Sequence, residues 1–361
     1  MDKKRMTEID KLFVTSLNNN IFQCGAIAFS KWDKDGYQRF EKYYGLVQEK
    51  PSQIKLTKDS FFDLASLTKP FVTVLVLLAL FEKNIINSET ELAAIYPDCP
   101  ADKKRITIQE LMSHMAGFVP HREYFNELIT LPEKIRKEVL LQRILDEKLQ
   151  LSDANNTCYS DLGFMLLGLL IEKLTNKKLG ELAEVMIYKP LKLQNDLFFP
   201  ESNTGNGHTY VSTENCLWDK EKLSGRVHDD NCRAIGGQAG HAGLFGTLQG
   251  VMGLCENLLD IWKDRGQHSS FSNELLQHAL TRVGDSSWTM GFDMVSEKGS
   301  SSGSNFSKES VGHLGFTGTS FWIDPEKECI AVLLTNRVYY GRDNLKIRKF
   351  RPVLHDLLMR Q

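Results

Sequence analysis

Ser66 and Lys69 stand one helical turn apart, directly before a long apolar run from Phe71 to Phe81. On a helix, that spacing puts a hydroxyl and an amine on one face. Pro70 follows Lys69. Proline is well tolerated only in the first turn, where its missing N–H costs no bond, so the helix is expected to start at or near Ser66. A serine there meets unpaired backbone N–H groups and the positive end of the helix dipole. Burial and that positive end both disfavour a charged ammonium, so Lys69 could act as the base that a serine nucleophile needs.

Two further segments carry groups of the same kind. Tyr159-Ser160-Asp161 precedes an apolar stretch, and His313-Leu314-Gly315 lies in the glycine- and threonine-rich segment Gly312 to Ser320. Tyr159 is a second candidate base, since a phenolate beside an ammonium can accept the serine proton as well as a neutral lysine can. A carboxylate at Asp161 only accepts hydrogen bonds, and beside Lys69 it would favour the ammonium, which leans the role toward Tyr159. The competing reading of Asp161 is an N-cap for a helix beginning at Leu162.

The order and spacing of these segments resemble the serine β-lactamase and penicillin-binding-protein superfamily, and most closely its class C and family VIII esterase branch. There the three motifs are S-x-x-K, Y-x-N or Y-S-D/N, and K-T-G or H-x-G. Ile108 to Phe118 looks like the "LLxHxSG" segment, Tyr188 to Leu193 like "PLGM", and Val227 to Phe245 like the "VHDxNA…GGxAGHAGLF" stretch of some members. The likeness runs from about Phe61 to Asn336.

The resemblance implies that Ser66, Lys69 and Tyr159 are catalytic and that the N–H groups of Ser66 and Phe316 form the oxyanion hole. Two such donors contribute about 3 kcal/mol each. It also places Asp161, His313 and Gly315 against the substrate, with no metal or cofactor. Asp161 departs from the Asn of class C enzymes. His313 replaces the Lys of K-T-G, and a mostly neutral imidazole attracts a substrate carboxylate less well. The implied activity is that of a serine hydrolase cleaving a small-molecule ester or amide through an acyl-enzyme. A β-lactamase or D-amino-acid peptidase is the nearest alternative. A non-catalytic binder of a cell-wall fragment is an alternative of another class.

Several polar groups have plainer readings. His228, Asp229 and His241 match no strong metal-ligand spacing and read as a structural polar network. His114, with His121 nearby, reads as a loop-fixing histidine, and Phe61 and Phe62 as core.

The elements that must position these groups come from both chain ends. Phe22 to Phe29 and Tyr37 to Val47 read as strands joined by a turn at Asp33 to Gly36. Phe321 to Asp324 and Cys329 to Thr335 read as two more, and Ile347 to Met359 as a closing helix. The middle is mostly helical, with 200–245 and 296–307 as loops. The pocket wall is expected to include the loops 118–135 and 200–232. The expected fold is therefore α+β: an antiparallel sheet with flanking helices from 1–68 and 300–361, and an inserted, mostly helical part from 69–299.

The chain has 361 residues, 42% hydrophobic and 25% charged, with a net charge of −2. That balance gives no reason to expect nucleic acid or an anionic membrane as a partner. The seven cysteines lack C-x-x-C spacing and read as reduced thiols. The 71–81 run is shorter than the roughly 20 residues a bilayer span needs. No secretory signal is visible at the N-terminus, so a cytoplasmic location is the expectation.

Overall fold

The computed structural model describes residues 2–48, 53–150, 157–200, 207–218, 220–265, 270–284 and 286–360. Seven strands form an antiparallel sheet: β1 (Cys24–Asp33), β2 (Gly36–Gln48), β3 (Ile54–Lys55), β8 (Asp293–Met294), β9 (Val311–Leu314), β10 (Ser320–Asp324) and β11 (Cys329–Thr335). Their order is β3-β2-β1-β11-β10-β9-β8. The two chain ends meet at its centre, where Gly25 lies opposite Thr335 and Lys31 opposite Cys329. Strand β11 is buried along its whole length, which explains its continuous apolar sequence.

Side chains alternate across the sheet. Ile27, Trp322, Ala331 and Leu333 face one side, where the helices Lys3–Asn18 and Ile347–Met359 supply Ile9, Phe13, Phe350, Leu354 and Leu358. Ala26, Ala28, Phe321, Ile323, Ile330, Val332 and Leu334 face the other, joining a core continuous with the helical part. The helix Leu248–Trp262 packs on β1 and β11 there, and β8 also falls inside the stretch 69–299.

A second, smaller sheet lies at the junction, in the order β5-β7-β4-β6, where β4 is Ser60–Asp63, β5 Leu197–Phe198, β6 Thr209–Tyr210 and β7 Phe245–Gly246. The stretch 200–245 is thus less irregular than its composition suggests, since it also holds the helix Asp230–Ala234. The loop 296–307 is tied to the C-terminal helix: Ser304 N donates to Asp356 Oδ1 at 2.6 Å, and the His355 ring bonds Ser301 O at 2.7 Å.

The helix after β4 begins where Pro70 requires, but it is irregular. A 3₁₀ turn, Ala65–Leu67, leads into a π-helical segment, Lys69–Val74, and then a regular α-helix, Leu75–Glu82. Pro70 lies in the first turn of the π segment and has no N–H to give to the usual ladder. The stretch Ala65–Glu82 has the length and hydropathy of a membrane span, yet 89% of it is buried inside the fold. All seven cysteines are free thiols, and all but Cys158 are buried.

Candidate active site

Ser66 sits at the end of β4, just past a residue with strained backbone. Ala65 adopts φ +49°, which is unusual for a residue with a Cβ. The Asp63 carboxylate stabilises this turn by accepting from Ala65 N at 2.8 Å and from His228 N at 2.7 Å. Burial raises the Asp63 pKa, and the two N–H donors and His228 oppose that rise. Asp63 went unrecognised in the sequence, although an acid within Phe61-Phe62-Asp63-Leu64-Ala65 is the signal that could have found it.

Lys69 joins the sequence-identified groups. Its Nζ is fully buried and donates to Ser66 Oγ at 3.1 Å, Tyr159 OH at 2.7 Å and Asp161 Oδ1 at 2.7 Å. An ammonium has three donors, and these three acceptors use them all; His241 O is a longer contact at 3.5 Å. Asp161 is not the N-cap. Ser160 is, accepting from Leu162 N at 3.2 Å, and the helix runs from Asp161 to Thr175. With the backbone donors served by Ser160, the Asp161 carboxylate is left for Lys69 through Oδ1 and for His121 Nδ1 at 3.3 Å through Oδ2.

These contacts fix the charges. Burial alone would lower the Lys69 pKa, but Asp161 and Tyr159 outweigh it and the net shift is upward. Burial also raises the Tyr159 pKa, with Lys69 opposing and Asp161 reinforcing the rise. Asp161 is held well below the usual carboxylate range: burial pushes it up, but Lys69, His121 and His241 prevail. The resting site is therefore an ammonium, a carboxylate and a neutral phenol. The neutral Lys69 suggested by its burial is not the favoured form. The two hydroxyls and the amine titrate as one unit, and removing a single proton from the Tyr159–Lys69 pair creates a base beside Ser66 Oγ.

The other wall is aromatic. Tyr159 packs against His114 at 4.6 Å, Trp288 at 5.3 Å and His313 at 6.0 Å between ring centroids. Trp288 belongs to no motif, and its role emerges only from the fold. His114 fixes the loop as expected, its Nδ1 accepting from Ser160 N at 3.2 Å. His313 donates through Nδ1 to its neighbour's carbonyl, Leu314 O, at 2.9 Å, which leaves Nε2 a buried acceptor without a partner. Burial, then the charge of Lys69, pushes its pKa down to about 3, so the ring is neutral.

Strand β9 packs against the 3₁₀ turn Ala65–Leu67. Gly315 must be glycine: a Cβ there would lie 1.9 Å from Thr319 Oγ1 and 2.7 Å from Leu64 O. Thr317 and Thr319 clamp the turn by donating to Asp63 O at 2.7 Å and Leu64 O at 3.1 Å. This holds the residues on both sides of Phe316 against Asp63 and Leu64, three and two positions ahead of Ser66 in the chain. Among the described residues, neither the Phe316 N–H nor the Ser66 N–H donates to a protein acceptor. Both donors are therefore available to a bound group.

The histidines and acids of 228–241 divide into separate pairs, His241 with Asp229 at 2.9 Å and His228 with Glu214 at 2.8 Å. No group of three or more potential metal ligands occurs among the described residues. Of the loops expected to wall the pocket, 118–135 contributes His121. Residues 201–206 and 219 of the 200–232 loop lie outside the described residues.

The beta-lactamase family model matches residues 34–352. A putative D-alanyl-D-alanine carboxypeptidase of Salmonella typhi is 28% identical over 352 residues, covering 87% of this chain and 79% of its own. Among solved structures, an octameric penicillin-binding protein homologue from Pyrococcus abyssi superposes with a TM-score of 0.74 at 17% identity, covering 99% of this chain and 77% of that one. EstCE1, a hydrolase with promiscuous acyltransferase activity, superposes at 0.72 with 17% identity, covering 96% and 98%. These structures show the shared fold. The family match spans nearly the whole described chain and includes every segment built into the site, so the protein belongs to the beta-lactamase family, the serine hydrolases of the β-lactamase and penicillin-binding-protein superfamily.

Proposed function

We propose that this enzyme hydrolyses small, uncharged esters through an acyl-enzyme on Ser66. The observation that carries the reading is the Lys69 ammonium, fully buried and shared among Ser66 Oγ, Tyr159 OH and Asp161 Oδ1. In the reactive form the Tyr159–Lys69 pair has lost one proton and takes the Ser66 hydroxyl proton as Oγ bonds to the substrate carbonyl carbon. The Ser66 and Phe316 N–H groups receive the oxyanion. The proton then passes to the leaving oxygen as its bond to carbon breaks. Water attacks the acyl-enzyme by the same route in reverse, releasing the acid and restoring Ser66.

His313 supports the preference for uncharged substrates. A neutral ring with an open acceptor at Nε2 offers nothing to a substrate carboxylate, where a lysine would attract one. The second reading is a D-amino-acid carboxypeptidase, favoured by the name of the Salmonella relatives. Its substrate ends in the carboxylate that His313 does not attract.

The test is hydrolysis of p-nitrophenyl acetate and of an N-acyl-D-Ala-D-Ala peptide by the wild type and by Ser66→Ala. Serine-dependent turnover with the ester far ahead supports the proposal. A peptide rate equal to or above the ester rate replaces it with the carboxypeptidase reading. Activity that survives Ser66→Ala removes both.

A further inference from the structure

Arg351 is a buried cation that the mechanism above does not use. It lies on the C-terminal helix, is 5% exposed, and has no acidic partner among the described residues. Its Nη2 donates to two backbone carbonyls, Gly315 O at 3.1 Å and Thr319 O at 2.8 Å, while its Nε has no partner. Burial, and then the nearby Arg337 and Arg348, push its pKa down to about 9. Its charge is also among the influences that keep His313 neutral. An unpaired buried guanidinium is costly, and a packing role could be filled by an apolar side chain of similar volume.

The two carbonyls belong to the turn that carries Phe316. Gly315 N donates to Thr319 O at 2.8 Å, and Gly318 N to Gly315 O at 3.1 Å, so Arg351 grips both ends of a closed loop. The peptide unit that ends in the Gly315 oxygen begins, on its other side, with the Phe316 N–H. In a trans peptide the carbonyl and the N–H point in opposite directions. Fixing the oxygen therefore fixes the direction of the N–H. A cation on the oxygen also draws electron density along the amide and makes the N–H a stronger donor.

We propose that Arg351 is a positioning residue for the oxyanion hole, holding and polarising the Gly315–Phe316 peptide from behind so that its N–H meets the charge that develops at Ser66. The inference rests on Ser66 being the nucleophile. Arg351 touches no reacting atom and acts only through Phe316.

The test compares Arg351→Lys, Arg351→Gln and Arg351→Met with the wild type, using p-nitrophenyl acetate kinetics, melting temperature and the affinity of phenylboronic acid, which places an oxygen of its tetrahedral serine adduct in the oxyanion hole. Losing a well-aimed donor costs about 100-fold or more, so weakening one should lower kcat by about 10- to 100-fold in Arg351→Met, with KM little changed and boronate affinity falling in parallel. Arg351→Gln keeps donors without charge and should fall between; Arg351→Lys keeps the charge and should recover most of the activity. If kcat and boronate affinity stay within about twofold in Gln and Met while Ser66→Ala is inactive, the inference fails and the serine mechanism stands. If kcat and boronate affinity simply follow the melting temperature across the three variants, Arg351 is structural and the inference also fails. If Ser66→Ala retains the wild-type rate, the nucleophile reading falls and takes this inference with it.

Discussion

Two largely buried charge clusters differ in what they leave open, and only one matches the proposed chemistry. In the first, Lys69 is shared among Ser66, Tyr159 and Asp161, and Asp161 reaches on to His121. In the second, Glu214 receives both His228 and Arg342, while Asp230 receives Arg342 and Arg233. Both hold strongly depressed carboxylates, Glu214 falling to about 2: burial opposes the fall, but His228 and Arg342 prevail. The difference is what each leaves open. In the second cluster the cations face carboxylates, which binds 214, 228–233 and 342 into one unit. The first aims an ammonium at two hydroxyls, and the Ser66 N–H within it has no protein acceptor among the described residues. Strong ion pairing marks both clusters, but hydrogen-bonding capacity left free beside a hydroxyl marks only the reactive one.

Mutations on the two sides should separate in kind. Ser66→Ala should lower kcat/KM for p-nitrophenyl acetate by about 1,000-fold or more with the melting temperature unchanged, since it removes the proposed nucleophile and no ion pair. Lys69→Met should lose activity on the same scale and also stability. It strands the Asp161 carboxylate, and breaking a buried pair in this way costs about 3–5 kcal/mol, readable by denaturant titration. Glu214→Gln should do the opposite, costing about 1–3 kcal/mol of stability with kcat within about twofold. A large kcat loss in Glu214→Gln without unfolding would erase the distinction.

Asp161→Asn sharpens the comparison through pH. Asp161 raises the pKa of Lys69 and of Tyr159, so its charge keeps the reactive, singly deprotonated pair scarce near neutrality. Removing that charge should move the rising limb of the kcat/KM profile to lower pH by about one to two units. The stability consequence has a definite sign. A carboxyl whose folded pKa lies below its unfolded value, about 3.9, contributes stability above that value and loses it as pH falls toward the folded one. The wild type should therefore lose stability below about pH 4 more steeply than the Asn variant, which a melting-temperature series would record. The smallest effect belongs to His121→Gln. His121 is half-exposed, and its pKa is raised first by its bond to Asp161. Its loss should change kcat/KM by less than about threefold, and only where the imidazole is protonated.

The sequence made the reactive cluster more legible than its supports. Ser66, Lys69, Tyr159, Asp161 and His313 are visible because their chemistry is tied to short, ordered segments. The strand Cys329–Thr335 is visible because burial on both faces leaves a continuous apolar run, and the helix Ile347–Met359 because burial on one face writes a helical period. The π-helical turn after Ser66 left no such trace, since π and α turns bury the same apolar residues. Ser160 rather than Asp161 caps its helix because both are good caps, and only Lys69, distant in sequence, claims the carboxylate. Trp288 and Arg351 lie far from every motif, and what makes them matter is contact across the fold. Local patterns cannot encode that.

The meeting of the two chain ends at the centre of the sheet also bears on how the protein is made. Strand β1 cannot pair with β11 until about 300 further residues have been synthesised, a very non-local contact. At about 5–20 residues per second, the β1–β2 hairpin waits on the order of 15–60 s with one edge open. That edge carries Ala26, Ile27 and Ala28, fully enclosed in the finished fold. During each round of translation it is a template for pairing with the wrong chain. Yield in the cell should therefore depend on synthesis rate and chaperone supply more than on the stability of the finished enzyme.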